Sequence, residues 1–231
     1  VIKALSKGHT LIAGQTQYGK STAAAYFFTQ KIFPGSSIHI FMDTKHDDSL
    51  IEHGQVSRTM DEFRQNLILG YTRLIHRPPS DEKNDHLDKI VKLLFSFKDD
   101  RPQIRGFKRH GFMLFIDEIQ LYASRGGKNA ALQRLATTGL GKKIIMVAIG
   151  QRIQSINNEV YTQCNNTICF FMKENPSYLK GQNMGNFTDI LPWLRENPYH
   201  FAYEVAGDDI LRIHAPVPLP GQPDVQVSLD I

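Results

Sequence analysis

Residues Gly14 to Ser21 read Gly-Gln-Thr-Gln-Tyr-Gly-Lys-Ser, a complete GxxxxGK[ST] loop. The apolar run Leu11-Ile12-Ala13 precedes it and the helix-like stretch Thr22 to Gln30 follows. This strand–loop–helix order constrains the fold more than any other feature. Such a loop turns successive N–H groups, and the positive end of the following helix, toward one point, where they form an anion cradle. The expected contacts to a triphosphate come from Gly14, Gln15, Thr16, Gln17, Tyr18, Gly19, Lys20, Ser21 and Thr22. Lys20 would reach the β- and γ-phosphates, and the Ser21 hydroxyl would ligate Mg²⁺.

Apolar, β-rich runs recur at His9–Ala13, Ser37–Asp43, Phe112–Asp117, Ile144–Ile149 and Thr167–Met172. Several are continuous rather than alternating, which suits central strands of a parallel sheet covered on both faces. Helical patterns fall between them. Thr59-Met60-Asp61-Glu62 is a capping box. It leads into Phe63, Leu67, Tyr71, Leu74 and Ile75, read as one helix face that ends before Pro78-Pro79. A second helix carries Leu87, Ile90, Val91, Leu94 and Phe97. Alternating strands and helices predict an α/β doubly wound sheet, whose ligands sit at the carboxyl ends of the strands.

Two further motifs carry chemistry. Phe112 to Ile116 is an apolar run ending in Asp117-Glu118, a Walker B pattern. Asp117 would hold the Mg²⁺ shell, and Glu118 would accept a proton from, or orient, an attacking water. That glutamate points to ATP hydrolysis rather than a GTPase switch, and no NKxD guanine-reading motif is present. Ile144 to Gly150 is a buried strand ending in Gln151-Arg152. If it lies between the P-loop and Walker B strands, Gln151 faces the γ-phosphate.

The chain has 231 residues and a net charge of +4, which mildly favours a polyanionic partner. No apolar run approaches the roughly 20 residues of a membrane helix. The sequence begins at Val1, which leaves room for an upstream segment. Cys164 and Cys169 read as reduced thiols, and the nine histidines form no metal-binding cluster. Tyr199–Val205 and Ile210–Ile213 flank Gly207-Asp208-Asp209, a hairpin signature. From Ala215 the chain is proline-rich and reads as an extended tail. The expected division is a motor domain over 1–214 and a tail over 215–231.

The order of P-loop, Asp43-Thr44-Lys45, Asp117-Glu118 and Gln151-Arg152 resembles the FtsK/HerA superfamily of DNA-translocating ATPases. His9 to Gly14, Gly127-Lys128, Leu132 to Ala136 and Thr162 to Thr167 are also similar to stretches of that superfamily. The resemblance covers roughly residues 8–173. The sequence departs from the pattern in two places. Ile153 stands where relatives have a proline. Leu140 and Gly141, followed by Lys142 and Lys143, stand where many relatives have an arginine that serves the neighbouring subunit's ATP. Arg134, then Arg125, are the replacement candidates for that catalytic arginine.

The resemblance implies a ring, with a hexamer expected, that hydrolyses ATP with Mg²⁺ and threads double-stranded DNA without reading its sequence. The chain is close in size to a minimal motor core. That favours a viral genome-packaging ATPase working in the host cytoplasm or at a virion vertex, with a capsid or portal protein as partner. A conjugative coupling-type pump, a non-motor ATP-binding assembly switch and a small-molecule kinase are the rivals. The kinase lacks a convincing arginine-rich lid, residues Arg101 to Arg109 being the nearest. Candidate DNA contacts are Arg105, Lys108 and Arg109, or Arg125 and Lys128.

Overall fold

A computed structural model describes residues 1–30, 36–99, 106–123, 127–182, 184–205, 208–218 and 228–229. A short helix, α1 (Ile2–Leu5), precedes β1 (His9–Ala13), and the glycine loop leads into α2 (Lys20–Thr29). Then come β2 (Ser37–Met42), β3 (Gln55–Ser57), α3 (Met60–Ile68), β4 (Arg73–His76) and α4 (Lys83–Ser96). The central part continues with β5 (Gly111–Ile116), α5 (Ala130–Thr138), β6 (Ile144–Gly150), α6 (Asn158–Thr162) and β7 (Cys164–Cys169). The chain closes with α7 (Pro176–Gly181), α8 (Gly185–Glu196), β8 (Phe201–Val205), β9 (Asp208–His214) and β10 (Ser228–Leu229).

The described strands form one sheet in the order β10-β9-β8-β7-β1-β6-β5-β2-β4-β3. Strands β7 through β3 in that order are mutually parallel. The antiparallel hairpin β8–β9 extends the β7 edge, as the hairpin signature predicts, and its turn at 206–207 lies outside the described residues. Ser228 and Leu229 of the tail return to pair with His214 and Ile213.

Alternation explains the two cores. Successive side chains of a strand point to opposite faces. Ile38, Ile40, Leu114, Ile116, Met146 and Ala148 pack on one face, against Phe63, Leu87, Leu94 and Leu135 from α3, α4 and α5. Phe41, Met113, Phe115, Ile145, Val147 and Ile149 pack on the other, against Ala24, Phe27 and Phe28 of α2. A strand buried on both sides must be apolar at every position, which is why β5 and β6 read as unbroken runs.

The five expected strands are present. The largest shift is at the last, which runs Cys164–Cys169 rather than Thr167–Met172. The capping box forms as read: Thr59 Oγ1 accepts from the Glu62 N–H at 3.2 Å, and Glu62 Oε2 accepts from the Thr59 N–H at 3.3 Å. The helix that it starts is shorter than expected. It ends at Ile68, Gly70 adopts φ +85°, and Leu74 and Ile75 belong to β4, paired with Ile40 and Phe41 of β2. A left-handed glycine ends a helix at little cost, and Leu74 and Ile75 are then buried on the two faces of the sheet.

Candidate active site

The sheet order places β6 between β1 and β5. The carboxyl ends of the parallel strands β1, β6 and β5 carry the glycine loop, Gln151 and Asp117-Glu118 respectively. All three motifs therefore share one rim, the rim at which ligands of such sheets sit.

The loop is pinned between neighbouring strand ends. Gly14 N–H donates to Gly150 O at 3.2 Å, and Gln15 N–H donates to Phe171 O at 2.7 Å. A Cβ on Gly14 would lie 2.5 Å from Phe170 Cβ, so only glycine fits there. Gln17 and Gly19 turn the chain through positive φ, 71° and 98°. Among the described residues no side chain caps α2, and its first turn holds no acidic residue. Its leading N–H groups and dipole are thus left for an anion. Lys20 is buried at this helix start. Burial pushes its ammonium pKa down, as does Lys45, while Asp117 and Glu118 act the other way.

Asp117 and Glu118 follow β5. Glu118 has φ 50° and ψ 52°, a left-handed backbone rare for such a residue and characteristic of functional sites. Its carboxylate is held from three sides. Gln151 Nε2 donates to Oε1 at 3.0 Å, the Gln120 amide donates to Oε2, and Lys45 forms an ion pair with Oε1. Lys45 Nζ also lies 3.7 Å from Asp117 Oδ2. Burial alone would raise the Glu118 pKa. Hydrogen bonds from Lys45 and Gln151, with the charges of Lys45 and Lys20, outweigh burial and hold it below the usual carboxylate range. At Asp117 burial prevails over Lys45 and Lys20, and its carboxyl is pushed up.

Lys45 is presented by a clamped loop. The Arg77 guanidinium donates through Nε to Asp43 Oδ2 at 2.8 Å and through Nη2 to Asp47 O at 2.6 Å. Asp43 Oδ1 accepts from Asp47 N–H at 3.1 Å. Thr44 Oγ1 donates to Asp117 O at 3.3 Å and meets the Tyr122 hydroxyl at 3.1 Å. Sequence reasoning marked Asp43-Thr44-Lys45 by position alone, and it missed Arg77 and Gln120, which belong to no linear motif.

The residues present suit Mg²⁺. Ser21 offers a hydroxyl at the start of α2, and Asp117 a buried carboxylate among the facing cations. These are hard oxygen donors, and Mg²⁺ is usually held by one or two protein oxygens with the remaining positions filled by phosphate and water. Among the described residues no group of three or more His, Cys, Asp or Glu could hold a metal by itself.

Arg134 is not brought to this cluster. It is exposed on α5, with its guanidinium carbon 4.1 Å from the centre of the Phe95 ring of α4. Arg125, Arg101 and Arg105 lie outside the described residues. Cys164 and Cys169 are free thiols, and burial pushes that of Cys164 up to about 12. No described helix is long and apolar enough to cross a membrane.

No protein-family model matches the sequence, and no curated protein matches it. Solved structures do match by shape. The genome packaging NTPase B204 of Sulfolobus turreted icosahedral virus 2, in complex with ATP-gammaS, superposes with a TM-score of 0.73 at 16% identity, covering 92% of this chain and 99% of that one. The DNA-packaging ATPase B204 of Sulfolobus turreted icosahedral virus gives 0.72 at 15% identity over 93% of this chain and 100% of that one. The pCW3 conjugation coupling protein TcpA, with ATPgS, gives 0.53 at 15% identity, covering 89% of this chain and 59% of TcpA. At such identities the likeness establishes architecture. The chain therefore has a P-loop-type α/β fold, with the glycine loop, acidic pair and glutamine at the ends of adjacent parallel strands, and it shares that fold with B204 over nearly the whole length of both.

Proposed function

We propose that this protein hydrolyses ATP to move double-stranded DNA, as the packaging motor of a viral genome, and that it works as a ring. The observation that carries the reading is the convergence of Lys20, Asp117, Glu118 and Gln151 on one rim of the sheet, with Gln151 bonded to Glu118. The near-complete overlap with B204, a genome packaging NTPase, supports the viral-motor form of it.

In this reading the N–H groups of residues 14–22 and the Lys20 ammonium bind the triphosphate. Mg²⁺, held by Ser21 and Asp117, would neutralise charge on the phosphates. Glu118 takes the proton of, or orients, the attacking water, as a carboxylate held ionised at neutral pH can do. Gln151 orients Glu118 and senses the γ-phosphate. Arg134 is the proposed arginine lent to a neighbouring subunit, a contribution worth about 10³–10⁵ in rate in well-studied NTPases. It would first have to leave the Phe95 ring.

DNA contact would be to phosphates, since a packager must accept any sequence. Arg105, Lys108 and Arg109, or alternatively Arg125 and Lys128, are the proposed contacts. A hexamer, a motor domain over 1–214 with a tail over 215–231, action in the host cytoplasm or at a virion vertex, and a capsid or portal partner complete the proposal.

The test is steady-state ATPase against protein concentration, with and without duplex DNA. Turnover should rise with both, and Lys20→Ala should abolish it. Turnover that is independent of concentration and blind to DNA would leave nucleotide hydrolysis standing and remove the motor.

A further inference from the structure

The sheet order gives the glycine loop two sides. On one side of β1 lie β6 and β5, with Gln151 and Asp117-Glu118 beyond their carboxyl ends. On the other lies β7, with the antiparallel β8 beyond it. Cys169, the last residue of β7, pairs with Ala13 of β1 and with Ala202 near the start of β8. The amino end of β8 therefore stands on the rim that carries the glycine loop. Tyr199 precedes β8 by two residues.

Tyr199 touches the loop itself. A Cβ on Gly19 would lie 3.0 Å from Tyr199 Cδ1 and 3.2 Å from Tyr199 Cα, so the tyrosine rests against the residue before Lys20. Yet Tyr199 is 52% exposed, which leaves much of it open to solvent beside the anion cradle. Its backbone is left-handed, with φ 71°. For a bulky residue that conformation is costly, and such strain gathers at ligand sites. The turn is anchored on both flanks. Asn197 donates from its N–H and from Nδ2 to Trp193 O of α8, at 3.0 and 2.9 Å. The His200 ring meets the Trp193 ring edge-on, 5.3 Å between centroids. Phe201 is wholly buried against Phe170, again 5.3 Å between centroids. The neighbours of Tyr199 thus hold a strained, half-open aromatic ring in place at the edge of the loop.

We propose that Tyr199 is the platform on which the base of the bound nucleotide stacks. This rests on the reading of the glycine loop as a nucleotide site. In that reading the γ-phosphate faces Glu118 and Gln151, on the β5 and β6 side of β1. The ribose and base then leave the loop toward β7 and β8, where Tyr199 stands. A nucleobase offers a flat π-face, and an aromatic ring held beside the phosphates can take it without first being ordered.

The experiment is equilibrium titration of the full chain with ATP and with inorganic tripolyphosphate, both in Mg²⁺. Tripolyphosphate has no base and reads the phosphate cradle alone. Tyr199→Ala should weaken ATP by about 10-fold or more, the scale of one base stacked on an aromatic ring, and spare tripolyphosphate. Tyr199→Gly removes the ring and adopts the left-handed turn without strain, so it should lose ATP to the same degree. Tyr199→Phe keeps the ring and should bind ATP to within about threefold of the wild type. Unchanged ATP affinity in Tyr199→Ala or Tyr199→Gly overturns the platform while leaving the glycine loop intact. Equal losses of ATP and tripolyphosphate would mean that Tyr199 only shapes the loop, and also overturn it. So would a loss in Tyr199→Phe as large as in Tyr199→Ala, since the hydroxyl rather than the ring would then act. A wild type that binds neither ATP nor tripolyphosphate removes the nucleotide site itself.

Discussion

Gln151 and Glu118 are joined by a hydrogen bond of 3.0 Å from the Gln151 amide to Glu118 Oε1. They are 33 residues apart and end adjacent strands. The donor fixes the direction of a carboxylate whose backbone is already left-handed. The pair is pre-set, which in the proposed hydrolysis would lower the reorganisation needed to activate water.

Replacing Glu118 by Gln keeps the shape and removes the basic oxygen. ATP turnover should fall by about 10²–10⁴, with ATP binding retained. Gln151→Ala leaves the carboxylate and loses its orientation, so its effect should be smaller. Steady-state hydrolysis measured beside nucleotide binding checks both. Glu118→Gln turning over at the wild-type rate would remove Glu118 from the chemistry.

Lys45 bridges Asp117 and Glu118. Lys45→Ala leaves two buried carboxylates facing each other, with Lys20 the remaining opposing charge among the described residues. Losing one partner of a fully buried pair costs about 3–5 kcal/mol. Lys45 has 42% of its side chain exposed, so screening reduces the expected loss to about 1–2 kcal/mol. Urea unfolding should show that loss without nucleotide, and a smaller one with Mg²⁺ and ATP present. Equal losses in both conditions would contradict this role for Lys45.

Arg77 and Asp43 are a buried pair, 5% and 0% exposed at the side chain. Arg77→Met strands the Asp43 carboxylate and should cost about 3–5 kcal/mol. It should also lower turnover, because the loop carrying Lys45 loses its clamp. Adding Asp43→Asn should recover part of the stability. A single variant as stable as the wild type by urea titration would contradict the clamp.

Two buried histidines make stability depend on pH. Burial holds His76 at about 3, with the neighbouring His86 charge acting in the same direction, and holds His9 at about 4. Unfolded histidines titrate near 6.5. Between these values the unfolded chain binds protons that the folded chain refuses, so stability falls as pH falls below about 6.5. The loss at pH 5 should be on the order of 2–4 kcal/mol for the two together. Urea unfolding between pH 5 and 8 should show it, and a flat profile would mean that neither ring is excluded from protonation.

The sequence by itself determined the parts whose physics is local. The glycine loop was legible because glycine spacing and a following helix are contiguous. The strand ending in Asp117-Glu118 was legible because burial on both faces demands an unbroken apolar run. The capping box at Thr59 and Glu62 needs only four residues. Leu74 and Ile75 were misread because five apolar residues at helical spacing look the same whether or not Gly70 stops the helix. Pairing with β2 decides, and β2 lies more than thirty residues away. Tertiary structure alone brought Lys45 to Glu118, Arg77 to Asp43, and Phe171 to Gln15. Each meeting depends on which strands become neighbours. That order is set by how a whole sheet buries two faces at once, a constraint that no short stretch of sequence contains.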